Sequence, residues 1–155
     1  MKLFSQAERP ELLERRDELG DTWDEFMYHD AVASVFWERQ YEEYPDLQLY
    51  LLDEDDKLLA ESNAVVIPFG PGELPDDGWD AALARAFAGE PAQAVSAIAI
   101  TIGVDQRGRG LSKVMLDGMR KAVAARGLGP RRPGAAQPEA PVPTRTDGSL
   151  RQVAP

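Results

Sequence analysis

The sequence predicts an α/β fold in which a β-sheet is flanked by helices. Two apolar stretches joined by a polar turn give a hairpin signal over 47–52, 53–57 and 58–69. A third apolar strand pattern covers 94–104. It is followed over 110–126 by an amphipathic pattern in which apolar residues recur at helical spacing. Strands and helices therefore alternate within one short chain.

Helices are also expected before the hairpin. A short charged helix is predicted over 9–19, with Leu12 and Leu13 facing inward. A second helix is predicted over 31–44, where Val32, Val35 and Phe36 follow helical spacing. Asp30 is its expected N-cap, and Pro45 ends it. Four residues between these helices are expected to form a packing cluster: Trp23, Phe26, Met27 and Tyr28.

Two further helices complete the pattern. After breaking residues at 70–75, Asp76 or Asp77 caps a short helix whose Trp79, Leu83 and Phe87 form a stripe, interpreted as core packing. The helix over 110–126 ends at Gly127, which suits a C-terminal cap. Its expected apolar face is Leu111, Val114, Met115, Met119, Ala122 and Val123.

The composition restricts the possible functions. The chain has 155 residues, no cysteine and a single histidine, His29, which argues against a thiolate or multi-histidine metal site, so no metal is expected. No apolar run reaches the roughly 18 residues of a membrane span, and the N-terminus lacks a secretory pattern. We therefore expect a cytoplasmic protein that does not bind membranes.

The charge is distributed unevenly. Residues 1–90 carry 23 acidic and 7 basic side chains, whereas residues 91–155 carry 4 acidic and 10 basic ones. The acidic part disfavours nucleic-acid binding, and the basic part directs attention to a small anion. All twelve aromatic residues lie at or before Phe87, and six prolines follow position 128. We expect a domain over 1–128 and a proline-rich, disordered tail over 129–155.

The loop between the third strand and the last helix carries the chemistry. Its sequence, Asp105-Gln106-Arg107-Gly108-Arg109-Gly110-Leu111-Ser112, places two glycines and two arginines where a helix begins. Unpaired amides and the helix dipole favour an anion at such a position, and pyrophosphate is the natural candidate. The spacing does not fit the Walker or the Rossmann phosphate loop.

The stretch from Arg107 to Ser112 resembles the Arg/Gln-x-x-Gly-x-Gly/Ala acetyl-CoA signature of the GNAT acyltransferase superfamily, with Ser112 replacing the last glycine or alanine. The order of elements over about Leu47 to Leu128 is similar to strands two to four and helix three of that fold. The two N-terminal helices resemble helices one and two. The resemblance implies a mixed, mostly antiparallel sheet flanked by helices, incomplete on its C-terminal side, as in a chain truncated or frameshifted after helix three.

The resemblance also implies an enzyme with acetyl-CoA as acyl donor and a small-molecule or peptide amine as acceptor. The amides of Gly108, Arg109, Gly110, Leu111 and Ser112 would then hold the pyrophosphate. Arg107 and Arg109 would add charge, and the strand end formed by Ile102, Gly103 and Val104 would pair with the pantetheine arm. Ser112 has no nucleophilic role in this interpretation.

The catalytic residues are not identified by the sequence. The strand over 94–104 has no carboxylate and only the hydroxyls of Ser96 and Thr101. Glu61 is the best substitute base, although a solvated strand glutamate is the simpler expectation. The segment over 70–91 would shape an acceptor pocket, form a lid or only cover the core.

Alternative functions stay open at this point. One is a truncated, catalytically silent module that binds CoA or a partner, and a remote one is a nucleic-acid binder that uses Arg107 and Arg109. An exposed sheet edge would also favour a homodimer.

Overall fold

The computed structural model describes residues 1–70 and 76–128. The strands are β1 (Lys2–Ser5), β2 (Leu49–Leu52), β3 (Leu58–Ile67) and β4 (Ala94–Ile102). The α-helices are α1 (Ala31–Phe36), α2 (Arg39–Glu43), α3 (Gly78–Ala86) and α4 (Leu111–Ala125), and 3₁₀ helices cover Pro10–Leu19, Glu25–His29 and Val104–Gln106. The predicted α/β class, a sheet flanked by helices, is confirmed. The predicted tail at 129–155 lies outside the described residues.

The sheet has the order β1-β2-β3-β4, and every pair of neighbouring strands is antiparallel. β3 is central: Ala60 is paired with Leu51 on one side and with Ile102 on the other. All ten residues of β3 are buried, because the strand is covered on both faces; it pairs with β2 over 58–62 and with β4 over 60–67. The hairpin and the third strand therefore form as predicted.

β1 was not expected from the sequence. It is only four residues long, and Leu3 pairs with Leu51 while Phe4 pairs with Tyr50. Two apolar residues in so short a segment give no recognisable strand pattern, and the pairing with β2 supplies the backbone hydrogen bonds that make it a strand.

The segment predicted as the first helix is a 3₁₀ helix over Pro10–Leu19. Leu12 and Leu19 are buried against Tyr50, whereas Leu13 is only half-buried. The expectation that Leu13 faces inward beside Leu12 was wrong, because neighbouring residues of a 3₁₀ helix are about 120° apart around its axis.

The predicted second helix is interrupted. A turn at Trp37 and Glu38 separates α1 from α2, and Val35, one of the apolar residues at helical spacing, is 62% exposed. The expected cap is confirmed, since Asp30 Oδ1 accepts a hydrogen bond of 2.6 Å from the amide of Ala33. The chain leaves α2 at Tyr44, directly before Pro45.

The expected aromatic cluster forms only in part. Trp23 packs edge-on against Trp37, with ring centroids 6.1 Å apart. Phe26 and Tyr28, however, are 70% and 62% exposed, so the prediction that they are packed was wrong. Both belong to the 3₁₀ helix over Glu25–His29, none of whose residues is buried.

Helices cover both faces of the sheet. On one face, Leu111, Met115 and Met119 of α4 pack on Leu49 and Leu51. The predicted helix is confirmed, although Val114 is partly exposed.

On the other face, α3 packs against the end of β3. Leu83 is fully buried beside Val65 and Ile67, and Phe87 stacks on Phe36 at 5.6 Å. This arrangement confirms the predicted packing stripe. No helix in the described part of the chain is long and apolar enough to cross a membrane.

Candidate functional site

A cleft of about 840 Å³ opens on the side of the sheet that carries α1. Its floor includes Glu61 of β3 and Thr101 of β4, which are register partners in the sheet. Its walls come from the N-terminal segment and from the helices, and include Arg16, Asp17, Asp21, Trp23, Tyr28, Trp37, Glu38 and Trp79. A continuous hollow of this size is large enough for a small organic molecule.

A second hollow, of about 260 Å³, lies beside the cleft. Ile100 and Ile102 of β4 line it together with Arg107. Thr22, Trp23 and Thr101 line both hollows, so the two form one connected surface. The cleft therefore leads along β4 to the glycine-rich loop.

The glycine-rich loop has the backbone form that its sequence predicts. Gly108 and Gly110 have φ of +80° and +74°, and a Cβ at either position would meet nothing within 4 Å. No backbone N–H from Arg107 to Ser112 donates a hydrogen bond of standard geometry to another described residue. These amides lie open at the start of α4, where the helix dipole favours an anion.

The two loop arginines differ. Arg107 is exposed, lines the smaller hollow and makes no ion pair with a described residue. Arg109 folds back, and its guanidinium donates a hydrogen bond to Oε1 of the buried Gln106. Of the two, Arg107 is therefore the one whose charge faces the hollow.

The three residues at the strand end that was expected to pair with pantetheine make different contacts. The N–H of Gly103 donates to the carbonyl of Leu59 at 3.0 Å, so it is engaged in the sheet. Because hydrogen-bonding direction alternates along a strand, the backbone of Ile102 faces the opposite, outer edge, where the smaller hollow lies. Val104 is half exposed and reaches Gly20 on the cleft rim.

The last two residues of the predicted loop, Leu111 and Ser112, are the first two residues of α4. The Leu111 side chain is buried in the core under α4, and that of Ser112 is exposed. Of the residues predicted to hold the donor, Ile102 and Arg107 line the smaller hollow. Gly108, Gly110 and Ser112 are exposed but do not line it.

Glu61 is not solvated, contrary to the simpler expectation from the sequence. It is 4% exposed, because β3 is covered on both faces. Its Oε1 accepts hydrogen bonds from the Tyr41 hydroxyl at 2.7 Å and from Asn63 Nδ2 at 3.1 Å. Its Oε2 accepts none from a described residue, although the side chain lines the cleft. Burial raises the pKa of this carboxyl, against the opposing effects of both hydrogen bonds and of Arg16.

Tyr41 completes a polar group that the sequence analysis missed. Its hydroxyl accepts hydrogen bonds from Arg16 at 2.7 Å and from Asn63 at 3.1 Å, and burial raises its pKa. The one available signal was the run Glu61-Ser62-Asn63, three polar residues within an otherwise apolar strand. Such a run inside a buried strand marks a place where polar groups must satisfy one another.

Comparison with known proteins adds a structural neighbour. The sequence matches no protein-family model and no curated protein. Among solved structures, the chain is similar to Naa20 from Chaetomium thermophilum, crystallised in complex with a bisubstrate analogue. The TM-score is 0.42 and the identity is 13%, over 81% of this chain and 56% of the Naa20 chain.

The order of elements meets the expectation from the sequence: an antiparallel hairpin, a third strand, a glycine-rich loop and an amphipathic helix. This is the order of elements that the resemblance to the GNAT acyltransferases implied. β1, which the sequence did not reveal, precedes the hairpin. The hairpin strands and the strand over Ala94–Ile102 are therefore the second, third and fourth strands of the chain, as the sequence analysis expected. The chain spans little more than half of the Naa20 chain that it resembles.

Proposed function

We propose that this protein transfers an acetyl group from acetyl-CoA to an amine. The observation that carries the proposal is the connection between the two hollows: Arg107 of the glycine-rich loop lines the smaller one, and Glu61 lines the larger one. A donor held at the loop and an acceptor held in the cleft would meet beside Thr101, which borders both.

The loop suits the donor. The open amides between Arg107 and Ser112 and the guanidinium of Arg107 would hold the pyrophosphate. The pantetheine arm would follow the outer edge of β4 past Ile102 and Ile100, where backbone groups of alternate residues face outward. Its thioester would then lie next to the cleft.

The chemistry needs little beyond positioning and proton removal. The amine nitrogen attacks the thioester carbonyl carbon, the carbon–sulfur bond breaks, and an acetamide and the CoA thiol result. An acceptor that enters as an ammonium loses two protons: the departing thiolate takes one, and Glu61 takes the other and passes it to solvent. A carboxyl whose pKa is raised by burial is a better base near neutral pH than an ordinary glutamate.

The first experiment is titration calorimetry of acetyl-CoA into the protein. We expect binding that Arg107→Glu weakens by about tenfold or more, since a charge-assisted contact is replaced by repulsion. Arg120→Glu is the matched control, because Arg120 is exposed on α4 outside the loop. No binding by the unchanged protein, or equal effects of the two substitutions, would contradict the proposal.

A backbone test is available on the same helix. Gly110 and Gly127 bound α4, have φ of +74° and +72°, and are both open at the Cβ position. Replacing either by alanine costs about 1–2 kcal/mol of folding stability, because the left-handed conformation is unfavourable for alanine. Only Gly110→Ala is expected to weaken acetyl-CoA binding as well. Equal binding by the two variants would exclude the loop as the donor site.

Turnover separates an enzyme from a silent binding module. With acetyl-CoA and an amine present, an enzyme releases free thiol, which a thiol-reactive dye detects. Binding of acetyl-CoA without thiol release above the rate of the Glu61→Gln variant would favour the silent module.

A further inference from the structure

The cleft contains every tryptophan of the chain. Trp23, Trp37 and Trp79 all line it, and the sequence has three tryptophans. Trp23 meets Trp37 edge-on at 6.1 Å, and Trp37 stacks with Trp79 at 6.3 Å. Trp79 is fixed by a hydrogen bond of 3.2 Å from Nε1 to the carbonyl of Ile98. The result is a continuous aromatic wall, held by contacts between its own rings.

The cleft is also acidic. Among the described residues that line it are four carboxylates, from Asp17, Asp21, Glu38 and Glu61, and one cation, Arg16. That cation is already engaged: it donates to the Tyr41 hydroxyl at 2.7 Å, approaches Glu38 at 3.5 Å and lies over the Tyr41 ring at 4.8 Å. The cleft therefore attracts positive charge.

Glu61, on the floor of the cleft, has one carboxylate oxygen that accepts no hydrogen bond from a described residue. Tyr41 and Asn63 both donate to Oε1 of Glu61, which leaves Oε2 without a donor among the described residues. A carboxylate on a side chain that is only 4% exposed is costly unless a donor or a cation reaches it. An ammonium group satisfies both needs with one contact.

We infer that the cleft binds a primary ammonium attached to an aromatic or other apolar body, with the ammonium at Glu61 Oε2 and the body on the tryptophan wall. The wall contributes cation–π attraction and apolar contact. A neutral aromatic alcohol lacks the charge, and an aliphatic diamine lacks the aromatic ring, so each of them uses only part of these contacts. This inference names the acceptor class for the proposed acetyl transfer and rests on that function for its biological meaning. The binding itself needs no acetyl-CoA.

Tryptophan fluorescence is a direct probe, because every indole of the protein lies in the cleft. The probe ligands are 2-phenylethylamine, its neutral isostere 2-phenylethanol and 1,4-diaminobutane, each titrated without acetyl-CoA. We expect saturable quenching or a spectral shift with 2-phenylethylamine, at concentrations at least about tenfold lower than for the other two. Equal or tighter binding of 2-phenylethanol, or of 1,4-diaminobutane, would overturn the inference.

Glu61→Gln tests the anchor, since it keeps the shape and the acceptor at Oε1 while removing the charge. We expect at least about tenfold weaker binding of 2-phenylethylamine, with little change for 2-phenylethanol. The matched control is Glu54→Gln, the same change on an exposed residue of the β2–β3 turn. If Glu61→Gln does not fold, Asp21→Asn on the exposed rim is expected to weaken amine binding about twofold, the size of a solvent-exposed charge contact. Amine binding unaffected by these changes would overturn the assignment.

The two proposals fail separately. Amine binding without acetyl-CoA binding would remove the proposed transfer and leave the cation site. Acetyl-CoA binding without amine binding would remove the acceptor class and leave the donor site. In the second case, thiol release with other amines would identify a different acceptor.

Discussion

Glu61 makes the folded protein sensitive to pH. Its carboxyl is buried at the centre of the sheet, and burial raises its pKa above the ordinary value of 4.5. A carboxyl whose pKa is higher in the folded than in the unfolded state stabilises the fold at low pH. This contribution is lost as pH rises from about 4.5 through the folded-state pKa, because ionisation is easier in the unfolded chain.

The Glu61→Gln variant tests this sign. Glutamine keeps the hydrogen bonds from Tyr41 and Asn63 but carries no charge. We expect the variant to gain stability relative to the unchanged protein as pH increases from 4.5 to 8, measured by urea unfolding at each pH. A stability difference that stays flat, or that shrinks as pH rises, would mean that the carboxyl is not desolvated.

Glu61 also marks where sequence patterns are insufficient. A glutamate in a strand is ordinarily placed on a solvent-facing side, since sheets often alternate between core and solvent. Here α4 packs on one face of the strand and α3 on the other, while α2 and the N-terminal segment also pack against it. Only the folded chain reveals this covering. The same limit applies to Trp23, Trp37 and Trp79, which come from three separate segments and meet only in the folded chain.

Among the elements, α4 makes a close contact with the sheet at Gly118. A Cβ at this position would overlap Leu3 Cδ2 of β1 and approach Leu49 Cδ1 to 3.5 Å. The absence of a side chain therefore allows the helix to cross directly over the first two strands. This contact holds β1, the shortest edge of the sheet, against the helix that carries the glycine-rich loop.

We expect Gly118→Val to destabilise the protein by about 1–3 kcal/mol, the usual cost of overpacking a close contact. Leu3→Ala in the same chain should restore part of that loss by making room. Lys121→Val is the control, because it places the same β-branched residue at an exposed position of α4. Urea unfolding of the single and double variants measures the coupling, and additive effects would show that Gly118 and Leu3 do not share space.

Long elements were predictable and short ones were not. The helix expected over 110–126 is found at Leu111–Ala125, because an amphipathic face repeated over four turns is a strong local signal. β1 exists only through its pairing with β2, and the turn at Trp37 interrupts a helix whose spacing looked continuous. In these cases tertiary contacts, which no local pattern encodes, decide the structure.

At the scale of the whole molecule, β4 forms one margin of the sheet within residues 1–70 and 76–128. Ala97 is exposed on this strand, and the strand is otherwise rich in small and apolar residues. A margin strand whose outer edge pairs with no other described strand favours pairing with a second copy.

We therefore expect self-association that increases with protein concentration, measured by size-exclusion chromatography with light scattering. Ala97→Lys should reduce it, because a charge on an edge strand opposes edge-to-edge pairing. Ala92→Lys adds the same charge at an exposed position before the strand and should have little effect. A monomer at every concentration would contradict the expectation.

β3 lies between two partner strands, whereas β4 lies at the margin of the sheet. This difference predicts which backbone amides exchange with solvent first. Over 60–62, β3 is paired with β2 on one side and with β4 on the other, and its residues are buried, so the amide hydrogens there should exchange with solvent last, through global unfolding. Amides of β4 need only the β3–β4 ladder to part locally. The strand that borders both hollows is thus the one whose hydrogen exchange should slow most when a ligand is bound beside it.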